Sequence, residues 1–183
     1  IATVQGQVLH NHGFIHELKE GDIFLLDAGA ETKMHYAGDL SSSMPVSERF
    51  TERQKEIYEI HLASFYPAVD MLKVGVPFRD AHIAAATKIC EGMKALGLMK
   101  GDPAEAARIG AYALFFPCGL GHMVGLDVHN METLGEQYVG YLEGDKKSTQ
   151  FGFKSLRLAR PLEPGFVFTV EPGIYFIPEL MDS

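Results

Sequence analysis

Residues 115–130 read Phe115-Phe116-Pro117-Cys118-Gly119-Leu120-Gly121-His122-Met123-Val124-Gly125-Leu126-Asp127-Val128-His129-Asn130. Three glycines and two histidines stand among apolar residues, so the backbone can turn tightly and approach a ligand while His122 and His129 face a pocket. That composition fits a metal or catalytic site. It equally fits a glycine-rich turn between core segments whose histidines are satisfied in the interior. Which of the two it is depends on partners elsewhere in the chain.

The partners come as an internal echo. Gly21-Asp22-Ile23-Phe24-Leu25-Leu26-Asp27-Ala28-Gly29 and Gly165-Phe166-Val167-Phe168-Thr169-Val170-Glu171-Pro172-Gly173 share one pattern: a turn glycine, a mostly apolar run, an acid, any residue, and a glycine. A buried strand that ends in a carboxylate is costly unless the charge meets a cation or dense hydrogen bonding. A third acid, Asp39, follows the first strand after a short polar stretch, which suits a hairpin that returns the chain beside Asp27. Asp27, Asp39, His122 and Glu171 together offer three hard oxygen donors and one imidazole. Such a set suits a divalent metal better than nucleophilic catalysis.

At 183 residues, 46% hydrophobic and 22% charged, the chain is long enough for one substantial core and has the make-up of an ordinary globular domain. A net charge of −8 with only 16 scattered Lys and Arg argues against a nucleic-acid partner, which needs a concentrated basic surface. Two cysteines, Cys90 and Cys118, make no disulfide framework, and no apolar run approaches membrane-spanning length. A cytoplasmic, non-membrane setting is the expectation. The chain opens at Ile1 without a methionine or a leader and stops at Ser183 soon after a strand-like segment, so both ends read as cut.

Between the ends, Ile23 to Leu26 is expected to be a short, wholly buried strand, with Tyr36 to Val46 returning beside it. His10, His12 and His16 lie in a mixed stretch whose irregular spacing singles out none of them. Thr51 and Gln54 form a capping box ahead of a helical stripe Tyr58, Leu62, Phe65, Val69 and Leu72, which Pro67 is expected to kink or divide. A second helix is predicted from about Arg79 to Leu96, burying Ala85, Ile89, Met93 and Leu96, and a short third one over Pro103 to Leu114. His61, His82 and Cys90 fall on these helices as face residues with no chemistry. From Met131 to Leu158 the composition turns polar and aperiodic, which predicts a long surface loop. Gly119-Leu120-Gly121 precedes a histidine and not a Lys-Ser pair, so it is no phosphate loop, and no serine sits in a nucleophile-elbow phrase.

Four phrases taken together resemble a known family. Leu26-Asp27-Ala28-Gly29-Ala30-Glu31, Tyr36-Ala37-Gly38-Asp39, Gly121-His122-Met123-Val124-Gly125-Leu126-Asp127-Val128-His129 and Thr169-Val170-Glu171-Pro172-Gly173 are similar, in order, to the site motifs of the metallopeptidases that include methionine aminopeptidase, aminopeptidase P and prolidase. The wording is closest to the Xaa-Pro branch. The resemblance implies an α+β pita-bread fold, a pseudo-twofold antiparallel sheet with helices on its outer face and a dinuclear metal site between the halves. It implies that Asp27 binds one metal, Asp39 bridges both, and His122 and Glu171 bind the other. Two such cations would lower the pKa of a shared water for attack on a peptide carbonyl. The oxygen-rich donors favour Mn²⁺, with Co²⁺, Fe²⁺ or Zn²⁺ as alternatives. His129 would hydrogen-bond the scissile carbonyl, and His10 would line the pocket on the proline side. The implied partner is a peptide with proline at its second position, and the implied parent is a homo-oligomer.

Three departures stand beside the match. Cys118 occupies the place of a second pocket histidine; it either faces substrate as a weak donor or packs as a small hydrophobe. The Asp27 to Asp39 spacing is one residue longer than the family's. The family's last ligand, a glutamate on a following strand, has no counterpart before Ser183, since Glu179 comes too soon. The chain 1–183 therefore reads as part of a catalytic domain, lacking an N-terminal domain and the last strand or strands, and inactive alone. Three activities stay open: Xaa-Pro aminopeptidase, Xaa-Pro dipeptidase, and a pita-bread binding module without catalysis.

Overall fold

A computed structural model describes residues 1–8, 10 and 13–181. Its sheet is antiparallel, in the order β1 (Ala2–Thr3), β2 (Ile23–Ala28), β3 (Leu40–Pro45). The register pairs Leu26 with Ser42, Asp27 with Ser41 and Ala28 with Leu40, so Asp39 stands one residue beyond the end of the ladder. Beyond it the hairpin narrows: Gly38 donates to the Ala30 carbonyl at 2.8 Å, and a Cβ on Gly29 would sit 2.7 Å from the Gly38 carbonyl carbon. Only glycine allows that approach.

The expectation of a wholly buried strand is corrected here. Ile23 is 36% and Leu26 37% exposed, and no residue of β2 or β3 belongs to the buried cluster. That cluster lies among the helices and the second half of the chain, so among the described residues neither face of the sheet is sealed.

α1 (Glu52–Asp70) starts at the predicted capping box: Gln54 N donates to Thr51 Oγ1 and Thr51 N to Gln54 Oε1. The Gln54 amide also reaches the Gly21 carbonyl at 2.8 Å, fixing the helix start to the turn before β2. Pro67 does not divide the helix. It falls in the last turn, where its missing N–H forgoes a single bond. α1 packs inward through Ile57, Ile60, Ser64, Ala68 and Met71, while Val69 of the predicted stripe is 38% exposed.

α2 (Phe78–Ala95) is the centre of the core, with Phe78, Ala85, Ile89, Cys90 and Met93 fully buried. Leu96, expected inside, is 37% exposed because it caps the helix end. Gly92 lets Ile60 of α1 lie directly on the α2 backbone, since a Cβ there would collide with the Ile60 side chain. α3 (Pro103–Arg108) is capped by Asp102 and stops before Gly110, whose φ of 84° breaks the predicted third helix and starts a 3₁₀ turn at Ala111–Leu114.

The segment from Met131 to Leu158 is more ordered than a surface loop. It carries α4 (Glu136–Gly140), buries Leu156 and Leu158, and ties Tyr141 Oη to the Leu156 carbonyl at 2.6 Å. Its few apolar residues are widely spaced, so they anchor it without giving a period. A last turn of helix, α5 (Pro178–Met181), follows.

Candidate metal centre

The second acid-tipped segment is extended but not a long strand. Residues 120–124 and 167–171 run antiparallel, joined by Glu171 N to Leu120 O at 2.7 Å, Thr169 N to His122 O at 2.9 Å and Val124 N to Val167 O at 3.0 Å. This pairing puts His122 and Glu171 side by side. Asp39 reaches them because its hairpin leans on the same segment, Ala37 N donating to the Gly125 carbonyl at 2.8 Å. The glycines of the opening stretch thus serve as contact points for neighbouring backbone.

His122 Nε2 stands 3.2 Å from Asp39 Oδ2 and 3.2 Å from Glu171 Oε1. The ligand atoms of the three residues all lie within 4.8 Å of one another. His122 and Asp39 are nearly sealed, at 6% and 12% side-chain exposure, and Glu171 at 35% opens the cluster to one side. His122 Nδ1 faces the Met123 carbonyl at 3.0 Å. A carbonyl only accepts, so Nδ1 carries the hydrogen and Nε2 is left for the cluster. Thr169 Oγ1 donates to Glu171 Oε1 at 2.8 Å and accepts from His122 N at 3.0 Å, locking both side chains to one hydroxyl.

Charge follows this geometry. Burial, reinforced by the Glu171 charge, raises the Asp39 pKa above the ordinary carboxylate value. Glu171 is also burdened by burial, but hydrogen bonds from His122 and Thr169 outweigh it and hold the carboxyl below its usual range. Burial works against a charge on His122, yet the Glu171 bond, the Met123 carbonyl and the two carboxylates prevail and raise its pKa. The cluster therefore favours charge on His122 and Glu171, while burial weighs against charge on Asp39. The same two oxygens and one nitrogen, at these separations, fit a divalent cation that shares ligands at about 2.0–2.3 Å.

Asp27 lies outside this tight group. It is an electrostatic neighbour of Asp39 and Tyr175, which puts it at the flank of the centre. The His129 ring lies against His122, with centroids 3.9 Å apart. Its Nδ1 is 3.2 Å from Glu132 Oε2, and Glu132 also takes Arg157 Nη1. Cys118 shares a hydrogen bond with Tyr175, and burial near Glu171 pushes its thiol up to about 11. His10 is exposed, and among the described residues no hydrogen bond or ion pair joins it to the centre. His12 lies outside the described residues.

Thr169, Tyr175 and Glu132 were not singled out from sequence. Signals for Thr169 and Glu132 exist. Thr169 stands two residues before Glu171 on the paired extended segment, so the two share a face, and Glu132 is three residues beyond His129. Tyr175 carries no such local signal.

Comparisons with known proteins bear on the family and the fold. The description "Metallopeptidase family M24" belongs to the family profile that matches residues 2–182. An Xaa-Pro dipeptidase of Mus musculus is 42% identical over 166 residues, covering 91% of this chain and 32% of that protein. An Xaa-Pro aminopeptidase of Escherichia coli is 34% identical over 174 residues, covering 95% and 35%. Among solved structures, Pseudomonas aeruginosa aminopeptidase PepP superposes with a TM-score of 0.78 at 34% identity, over 97% of this chain and 36% of that one. A zinc-substituted E. coli aminopeptidase P in complex with product gives 0.77 at 34% identity, over 98% and 37%. The chain spans about a third of the length of these relatives. Its α+β architecture is of their pita-bread type.

Proposed function

Because the chain belongs to metallopeptidase family M24, we propose that it carries the catalytic centre of a metal-dependent peptidase that cleaves between an N-terminal residue and a following proline. The observation that carries this reading is the placement of His122 Nε2 at 3.2 Å from both Asp39 and Glu171, with Nδ1 already committed to a backbone carbonyl. Asp39, His122 and Glu171 would hold one ion, and Asp27 with Asp39 a second. The oxygen-rich donors favour Mn²⁺. When bound, such ions supply a Lewis acid and a water of lowered pKa.

The chain's own residues do the rest. The Nδ1 bond fixes the tautomer of His122, so its Nε2 lone pair is free for a cation once the proton is lost. The Thr169 hydroxyl aims the Glu171 carboxylate and, after His122, is the second hydrogen bond that holds its pKa down. His129, beside His122 and held at Nδ1 by Glu132, would meet the substrate carbonyl with Nε2, a donation that requires a hydrogen on both ring nitrogens. Cys118 and Tyr175 line the wall beyond Glu171. Two unpaired thiols fit a reducing compartment, which we take as cytoplasmic. A dipeptidase is the second reading, supported by the 42% identity to the mouse Xaa-Pro dipeptidase.

The test uses the full-length protein and the two substrates Xaa-Pro and Xaa-Pro-Yaa. Asp39→Asn is expected to lose Mn²⁺ and hydrolysis together, whereas His129→Ala keeps Mn²⁺ and slows hydrolysis by roughly 10²–10³. Preference for the tripeptide identifies the aminopeptidase. Hydrolysis that survives Asp39→Asn, or wild-type protein that cleaves neither peptide with Mn²⁺ bound, would overturn the assignment.

A further inference from the structure

His61 stands in the middle of α1, and its sequence context gives it no task. Its Nε2 nevertheless lies 2.8 Å from the carbonyl oxygen of Pro172, 111 residues away. Burial lowers its pKa, so the ring is neutral near pH 7. The carbonyl can only accept, so the single N–H is on Nε2 and is donated to Pro172. Nδ1 is then a buried lone pair with no partner. An aliphatic residue would fill the same place without that burden, so packing alone does not account for an imidazole here.

The accepting carbonyl belongs to the residue that follows Glu171. On its other side, Glu171 N is bonded to Leu120 O at 2.7 Å. Pro172 has no N–H with which to join a ladder, and Gly173 after it is conformationally free. The direction in which residue 171 presents its carboxylate is therefore set by two backbone anchors, one on the paired segment and one on α1. The α1 anchor is itself braced: the Tyr58 ring lies 5.9 Å from the His61 ring and stacks at 4.9 Å on Phe50.

We propose that His61 is a positioning residue for Glu171, clamping the Pro172 carbonyl so that the carboxylate meets a divalent cation in register with His122 and Asp39. The role rests on the reading that Glu171 is a metal ligand. It assigns to the middle of α1 a share in metal affinity that no contact of α1 with the cation would supply.

The experiment measures Mn²⁺ affinity by titration calorimetry, together with the melting temperature of the metal-free protein, for full-length His61→Leu, His61→Gln and Glu171→Gln. His61→Leu is expected to lose about tenfold in Mn²⁺ affinity, the loss typical of outer-shell partners, without a lower metal-free melting temperature. His61→Gln, whose Nε2 donor can reach the same carbonyl, restores most of the affinity. Should His61→Leu not fold, His61→Asn replaces it, because the shorter amide falls short of Pro172 and is expected to bind Mn²⁺ as weakly. Wild-type affinity in the Leu or Asn variant, or equal loss in Gln and Leu, overturns the clamp while the ligand role of Glu171 stands. Wild-type affinity in Glu171→Gln overturns both.

Discussion

Gly121→Ala tests whether the approach of two backbones, and not the ligands alone, makes this centre. A Cβ on Gly121 would lie 2.8 Å from the Thr169 carbonyl carbon and closer still to its oxygen. Carbon atoms settle at about 3.5–4.0 Å, so the segments 120–124 and 167–171 must part by roughly 1 Å. Two hydrogen bonds bracket the position, Thr169 N to His122 O at 2.9 Å and Glu171 N to Leu120 O at 2.7 Å, and an added ångström takes both beyond bonding range. At about 1 kcal/mol each the loss is ~2 kcal/mol. For a domain of this size that lowers the melting temperature by about 4–8 °C. The same displacement separates His122 from Glu171, now 3.2 Å apart, so Mn²⁺ affinity should fall at least tenfold. Differential scanning calorimetry of the metal-free full-length protein and Mn²⁺ titration read the two effects. A variant that melts within 1 °C of wild type and binds Mn²⁺ unchanged would show that the segments adjust without cost, and the reasoning would fail.

Two further outcomes follow from buried groups. Burial holds the His82 pKa down at about 4 against an ordinary 6.5, so the unfolded chain takes up a proton as pH falls through 6.5 and the folded chain does not until about 4. Stability should therefore drop by about 3 kcal/mol across that window, and urea titrations of His82→Gln should show a shallower slope there; an unchanged slope would refute the assignment. Burial pushes the thiols of Cys90 and Cys118 up to about 11, so iodoacetamide at pH 8 should label both far more slowly in the folded protein than in urea. Labelling of Cys118 at the unfolded rate would place it in solvent and out of the wall behind Glu171.

What could be read from the sequence was local. Thr51 and Gln54 cap α1 because both partners lie within one turn, and Ala85, Ile89 and Met93 recur at helical spacing on one face of α2. Glu171 stood out because an acid at the end of an apolar run needs a counter-charge, His122 because it sits in a glycine-rich apolar stretch, and Asp39 because a hairpin would return it beside Asp27. The inward face of α1 was misjudged for a physical reason. The pattern favours large apolar residues, but the fully buried positions of α1 are Ser64 and Ala68, whose small side chains carry little hydrophobic signal, while Ile60 packs on the backbone at Gly92. The burial of β2 was misjudged because apolar content cannot say which strands face another layer. Asp27 carries the same phrase as Glu171 yet lies at the flank of the cluster. Its distance is set by the hairpin between β2 and β3, whose longer spacing was visible but whose path was not.

His61 and His82 show most clearly where such reading stops. Both are helix residues flanked by apolar neighbours, and both have a buried Nδ1 with no partner. His82 Nε2 shares a hydrogen bond with Tyr112 Oη at 2.7 Å and the ring is surrounded by those of Tyr112, Phe116 and Phe153, so its bond ends inside the core. His61 gives its Nε2 to a carbonyl that adjoins Glu171, so its bond ends at the centre. Nothing within ten residues of either histidine separates these fates. A neutral imidazole has one hydrogen to donate, and for His61 the packing of α1 against the turn after Glu171 determines where that hydrogen goes. Any change that rotates α1, including one far from residue 61, should therefore register first as a change in metal affinity and only afterwards as a change in fold.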